Sequence, residues 1–189
     1  MSKEIWKAGT NLYPVPVVMI SCGEFDKDEK NIITVAWTGT LNSDPAMAYV
    51  SIRPSRYSHE IIKRTGEFVI NLCTKDLAFA TDYCGVKSGK NVDKFKEMNL
   101  TAIKAPNTNC PVIEQSPLSI ECRVKDIVSL GTHDMFIGEV LSSLADEKYM
   151  DEDGKFHFNK SEPICYSHGQ YYSLGDQLGK FGFSVKKNK

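Results

Sequence analysis

The segment from Leu118 to Lys125 constrains the fold most strongly. Leu118, Ile120, Cys122 and Val124 alternate with Ser119, Glu121, Arg123 and Lys125, the period of two that places one face of a strand in a core and the other in water. Such a strand needs paired neighbours and apolar surface beneath it, and the chain supplies both. His133 to Leu141 reads as its antiparallel partner. Val15 to Ser21 is a short apolar run set off by Pro14 and Pro16 and closed by Gly23 and charged residues, which suits a buried strand. Asn31 to Thr38 and Met47 to Ile52 are β-branched or aromatic runs joined through Asn42-Ser43-Asp44-Pro45, residues that favour a turn through side-chain bonding and a fixed proline angle. Asp153-Gly154 predicts a later hairpin with Phe156 and Phe158 on one face.

Helical signals are few. Ser58 is placed to cap a segment running through Arg64 and ended by Gly66; Thr74 is placed to cap another running through Tyr83 and ended by Gly85. The helices do not alternate regularly with strands, which disfavours a doubly wound parallel sheet. The expected fold is therefore mainly β, an antiparallel β-barrel with inserted short helices.

At 189 residues the chain fits one domain, 1–189, since a single core commonly serves chains of roughly 100–250 residues. A net charge of −1 creates no global field for nucleic acid or an anionic membrane, and the basic tail Lys186, Lys187 and Lys189 reads as a solvated chain end. No apolar run approaches the roughly 20 residues needed to span a bilayer, and the charged start lacks a signal-peptide hydrophobic region, so a cytoplasmic protein is expected. The six cysteines, at 22, 73, 84, 110, 122 and 165, contain no Cys-x-x-Cys pair. That argues for free thiols rather than a zinc, iron–sulfur or dithiol site. Cys165-x-x-His168 has metal-like spacing without evident further ligands, and no metal is assigned.

Strict nucleotide motifs are missing. No Gly-x-Gly-x-x-Gly occurs, and the stretch from Gly85 to Asn91 is one residue short of a Walker loop and lacks its hydroxyl. A Gly-x-Ser-x-Gly elbow and a His-Glu-x-x-His helix are also absent, which disfavours hydrolase and zinc-protease chemistry. The densest polar cluster is Ser51-Ile-Arg-Pro-Ser-Arg-Tyr-Ser-His59, where Pro54 ends a strand and hydroxyls and guanidinium groups precede a helix. Helix amides, Ser55, Ser58 and Arg53 or Arg56 together suit a phosphate. Composition alone favours the plainer reading, a capped surface turn with solvated arginines. Trp37, beside small residues at a strand end, fits either the border of a flat ligand or plain core packing. Cys84, preceding Gly85, is expected in a loop that runs to Phe95 and either closes over a polar ligand or merely connects two elements.

Taken in order, these stretches resemble the flavin reductase-like, FMN-binding split-barrel family. The resemblance rests on Tyr13-Pro-Val-Pro-Val-Val, Asn31-Ile-Ile-Thr-Val-Ala-Trp-Thr-Gly, Pro45, the Ser51 to His59 block, Gly66-Glu-Phe-Val-Ile-Asn, Cys84-Gly-x-x-Ser-Gly-Lys-x-Val-Asp-Lys-Phe and Gly131-Thr-His-Asp-Met-Phe-Ile-Gly-Glu-Val. The cysteine-glycine loop and the Ser-Ile-Arg-Pro-Ser-Arg block are most similar to the flavoredoxin branch. The resemblance implies a split β-barrel homodimer holding FMN at its interface. Arg53, Arg56, Tyr57 and Ser58 would then line the phosphate and ribityl end. Ser51 and Ile52 would present strand backbone to the flavin, and Asn31, Trp37 and Thr38 would border its rings. Cys84, Ser88 and Lys94 would come from the second loop, with the Lys94 cation stabilising anionic reduced flavin. His133 would contact the flavin or the incoming reductant, and Tyr166 would cover one flavin face, although a structural histidine and a core aromatic remain open for these two.

The activity implied is hydride transfer from NADH or NADPH to flavin, which needs orientation and charge stabilisation rather than an acid–base pair. The alternative within the same resemblance is a flavoredoxin-like electron carrier serving a redox partner protein.

Overall fold

A computed structural model describes residues 2–185; the Lys186, Lys187 and Lys189 tail lies outside the described residues. Among the described residues twelve strands and three α-helices follow one another: β1 (Val15–Pro16), β2 (Val18–Glu24), β3 (Glu29–Val35), β4 (Thr38–Ser43), β5 (Ala46–Ile52), α1 (Tyr57–Thr65), β6 (Glu67–Leu72), α2 (Ala78–Val86), α3 (Lys94–Glu97), β7 (Ala102–Lys104), β8 (Pro111–Ile113), β9 (Leu118–Ser129), β10 (Asp134–Ala145), β11 (Ile164–Ser167) and β12 (Gln170–Ser173). The main sheet has the antiparallel order β3-β2-β6-β9-β10-β5-β4, as expected of a mainly β chain.

The two outer strands of that order are halves of one stretch of chain. Only Ala36 and Trp37 separate β3, which pairs with β2, from β4, which pairs with β5 at the far end. One bent segment thus borders both edges, and the sheet must curl into a barrel to let it do so. The Ser51 amide donates to the Trp37 carbonyl at 2.9 Å, continuing the ladder across the bend.

Side-chain alternation along β2 divides the apolar interior into two layers. Val18, Ile20 and Cys22 point into the barrel with Val50, Ile52, Phe68 and Phe136. Val17 and Met19 point the other way, beneath α2 and α3, and pack with Leu77, Ala80, Phe95 and Leu100. Burial on both faces explains the unbroken apolar run in the sequence, each wholly buried side chain of this kind contributing roughly 1.5–3 kcal/mol. A small sheet in the order β1-β11-β12 lies apart from the barrel ladder, as does the β7–β8 hairpin.

Several local expectations are corrected. Ser119 and Glu121 do not face water; both are buried, with Glu121 0 % exposed. Residues around 105–112 cover that face of β9, and Glu121 accepts hydrogen bonds from the Asn107 amide at 3.0 Å, Asn107 Nδ2 at 3.1 Å, Thr108 at 3.1 Å and Ser142 at 2.6 Å. Burial pushes its pKa up, but the Ser142 bond and the bonds from Asn107 and Thr108 together outweigh it and hold the carboxyl below its usual range. Ser58 is not a cap: α1 begins at Tyr57 and its N-cap, Arg56, makes no side-chain bond to the helix. The other end is as expected, with Gly66 in the left-handed conformation. Thr74 likewise caps nothing, because α2 starts at Ala78 and runs through Gly85 to Val86. Gly85 serves a close approach instead, since an added Cβ there would stand 3.2 Å from the Thr34 Cβ. The Asp153-Gly154 turn forms, though only a single bridge from Met150 to Phe156 pairs its flanks.

Candidate functional site

Two adjoining clefts open along β3, of about 140 Å³ and 150 Å³, and they share Ile33 and Arg56. The first lies between β3, the start of α1, the end of α2 and the loop into α3. Asn31, Arg56, Tyr57, Ser58, Cys84, Ser88 and Lys94 all line it. The second continues past the β3–β4 bend and is lined by Trp37, Ser51, Ile52, Arg53, Arg56 and His133. Thr38 reaches neither; it lines an adjoining apolar cleft of about 570 Å³ that also includes Trp37 and Ser51. Tyr166 lies on a fourth cleft, of about 250 Å³, which meets the others at Thr34, Ala36 and Trp37. The sequence-derived residues thus lie on one connected set of clefts, with Thr38 and Tyr166 at its margins.

Local structure fixes each contributor. Asn31, buried in β3, donates through Nδ2 to Ser58 Oγ at 2.7 Å and so joins the strand to the first turn of α1. Gly89 packs against the same side chain: a Cβ there would overlap Asn31 Oδ1 and stand 2.7 Å from Asn31 Cγ. Lys90 reaches over the Tyr57 ring at 5.8 Å. Thr38 spends its hydroxyl on the Tyr49 carbonyl at 2.6 Å, and the Ser51 amide is spent on Trp37. These two shape the wall but do not offer those groups to a ligand. Ile52 turns its side chain into the barrel.

Cys84 departs from the loop expectation. It lies in α2 and is fully buried, and desolvation pushes its thiol up to about 11. Cys22, Cys73 and Cys122 are buried as well, their thiols pushed by desolvation up to about 12. Protonated thiols of this kind are poor nucleophiles.

Lys94 is only 4 % exposed. Its Nζ donates to the carbonyls of Ile32 at 2.6 Å and Cys84 at 2.8 Å, which uses two of the three ammonium protons. Burial holds its pKa below the usual lysine value, and nearby Cys84 and Cys22 oppose that shift. No carboxylate bonds to it among the described residues.

The chain has four arginines. Arg64 is bonded to Glu24 and Glu29, and Arg123 sits 3.7 Å from Glu67. Arg53 and Arg56, the two on the clefts, have no acidic partner among the described residues. Among the described residues no aspartate or glutamate lines either cleft, while Arg53, Arg56, Lys87, Lys94 and His133 all contribute to their walls. The α1 N-terminus, which lacks a side-chain cap, opens at the same place. Unpaired guanidinium groups, uncapped helix amides and a buried ammonium make a site for an anionic group with a polar body attached. His133 stands at its far end, where burial and then the Arg53 charge hold its imidazole below the usual pKa.

Sequence reasoning did not single out Gly89, Thr34 or Lys87. Thr34 donates its hydroxyl to the Thr81 carbonyl and so seats α2 on β3. Gly89 had one legible signal, its place in the glycine-rich loop. His59 ends the Ser51 to His59 block, but it turns inward, with Nε2 2.8 Å from Asp134 Oδ2.

Comparison with known proteins shows the family of the chain. The flavin reductase-like domain model matches residues 10–175. The flavoredoxin of Desulfovibrio vulgaris superimposes with a TM-score of 0.89 at 29% identity, covering 98% of this chain and 100% of that one. The flavoredoxin of Methanosarcina acetivorans gives 0.86 at 28% identity with the same coverages, 98% and 100%. An uncharacterized protein of Pyrococcus abyssi is 33% identical over 169 residues, 88% of this chain and 94% of its own length. The match covers the barrel, both clefts and the small sheet, and the chain belongs to the flavin reductase-like family.

Proposed function

We propose that the connected clefts hold FMN and that the protein is an NAD(P)H-dependent flavin reductase. The observation that carries this reading is the pair Arg53 and Arg56, left without acids where the other two arginines are ion-paired, on clefts whose walls contain no carboxylate. Arg56, Ser55 and the first amides of α1 bind the phosphate, with Arg53 beside them. Asn31, Tyr57, Ser58 and Ser88 border the ribityl chain. Trp37, Thr38, Ser51 and Ile52 shape the wall for the rings, His133 and Tyr166 bound the open side, and the buried Lys94, on the first cleft, places positive charge where that cleft runs towards the rings. When bound, the flavin would accept a hydride from NAD(P)H and pass its electrons on. The protein orients it, excludes water from one side and stabilises negative charge, so no acid–base pair is needed.

The likeness to two flavoredoxins over nearly the whole chain favours a second reading, an FMN electron carrier serving a redox partner protein. Anaerobic mixing with NADH and with NADPH separates the two. Bleaching of the visible flavin band supports the reductase; an unchanged spectrum with both nucleotides, together with reversible chemical titration, supports the carrier. Protein that is colourless and fails to retain added FMN sinks both. A homodimer, a cytoplasmic location and a single domain over residues 1–189 belong to the same proposal, and sedimentation velocity tests the first. No helix among the described residues is long and apolar enough to cross a membrane.

A further inference from the structure

The two walls that carry the cationic groups come from distant parts of the chain. Arg56 and Ser58 belong to the start of α1, whereas His133 immediately precedes β10. Between these walls, behind the cleft, His59 Nε2 lies 2.8 Å from Asp134 Oδ2, with side-chain exposures of only 8 % and 14 %. The imidazole is held edge-on against Phe136, ring centroids 5.1 Å apart. The His59 amide donates to the Arg56 carbonyl at 3.0 Å, so the ring's backbone closes the turn that aims Arg56. On the other side, Asp134 faces Ile52 across the β10–β5 ladder, one residue from both Arg53 and His133.

We infer that the His59–Asp134 pair is a positioning device, which sets the angle between the anion-binding start of α1 and the β5–β10 edge and thereby places Arg56 for a phosphate. Neither residue lines a cleft, so neither touches the ligand. The bond has few alternative geometries because the His59 ring is nearly buried and would lose its partner, while Asp134, which also accepts from Ser129, is held in place from β9. The bond therefore fixes a direction as well as a distance. An apolar contact such as His59 against Phe136 would tolerate sliding. The inference rests on the proposed FMN reading, since it concerns the phosphate end of that ligand.

The test compares FMN with riboflavin, which lacks the phosphate, by flavin-fluorescence titration of purified apoprotein. Asp134→Ala and His59→Ala remove the bond; Asp134→Asn and His59→Gln keep an acceptor or a donor at the same place. The expected result is that each alanine variant weakens FMN at least about tenfold, a change of about 1.4 kcal/mol, while riboflavin affinity changes less than about threefold. The conservative variants should recover most of the FMN affinity. Parallel weakening of FMN and riboflavin, or equal loss in the alanine and conservative variants, overturns the positioning role and leaves the pair a part of the core. Where an alanine variant fails to fold, Asp134→Asn and His59→Gln decide: an FMN-to-riboflavin affinity ratio below wild type supports the proposal, and a ratio equal to wild type, with or without parallel weakening of both flavins, overturns it. Wild-type protein that binds neither flavin overturns the FMN reading itself, an outcome distinct from parallel weakening in the variants.

Discussion

Asn31 Nδ2 and Ser58 Oγ meet at 2.7 Å, and this bond between β3 and α1 is the floor on which the first cleft is built. Gly89 lies directly against the same asparagine from the loop above. Changing Gly89 to Ala should force the loop outward, because the overlap is with a bonded, buried side chain that has no room to yield. The expected outcome is a fall in FMN affinity of about tenfold or more, with a small change in thermal midpoint because the loop is largely exposed. Flavin titration together with thermal unfolding of the apoprotein checks both halves.

Arg56→Ala should weaken FMN much more than riboflavin, since only FMN carries the phosphate that a guanidinium binds in a directed, charge-assisted way. A difference of about 1.5–3 kcal/mol between the two ligands is the scale of one such bond. Equal weakening in isothermal titration of both would remove Arg56 from that role.

Lys94→Met removes a buried cation that no carboxylate neutralises among the described residues. A positive charge next to reduced, anionic flavin favours reduction, so its loss should lower the two-electron midpoint potential. Each 1.4 kcal/mol of lost stabilisation corresponds to about 30 mV, and a drop of that size or larger is expected in a spectroelectrochemical titration. An unchanged or higher potential would show that Lys94 serves only the carbonyls of Ile32 and Cys84.

Stability should fall in acid through Glu121. Its folded pKa lies below the ordinary value of 4.5, so the folded state prefers the charged form. The stabilisation is complete above that ordinary value and is lost as pH falls through the depressed folded one. Urea midpoints measured from about pH 7 down to about pH 3 should decline in the wild type. Glu121→Gln should start lower, because an amide cannot accept all four bonds, and should decline less over the same range.

The same residue marks the limit of what the sequence discloses. Alternation from Leu118 to Lys125 revealed the strand and its inner face, because that pattern is local. It could not reveal that residues near 107 fold over the other face, since that burial depends on contacts 13 and 14 residues away and on Ser142 in the neighbouring strand. Ser58 shows the converse. It has the chemistry of a helix cap, but a buried asparagine from β3 competes for its hydroxyl and the cap position lies two residues earlier, at Arg56. Cys84 and Gly85 read as loop because glycine usually ends a helix, whereas here the glycine lets α2 lie close against Thr34. The residues assigned to the site were legible chiefly through ordered motifs; their charge imbalance became visible only when the partners of all four arginines were known.

The bent segment from Glu29 to Ser43, bordering both ends of the main sheet, has a further consequence. It is the seam of the barrel, and the clefts run along it. A ligand lying against residues 31–37 therefore clamps the one line along which the barrel would open. Its binding free energy adds to the resistance of the entire sheet to unfolding, by RT ln(1 + [L]/Kd), instead of stiffening a single loop. Amides of β2 and β5, on strands that are not neighbours in the main sheet, should gain hydrogen-exchange protection together when the site fills. Resistance to unfolding should therefore rise with flavin concentration, read as an upward shift of the thermal midpoint.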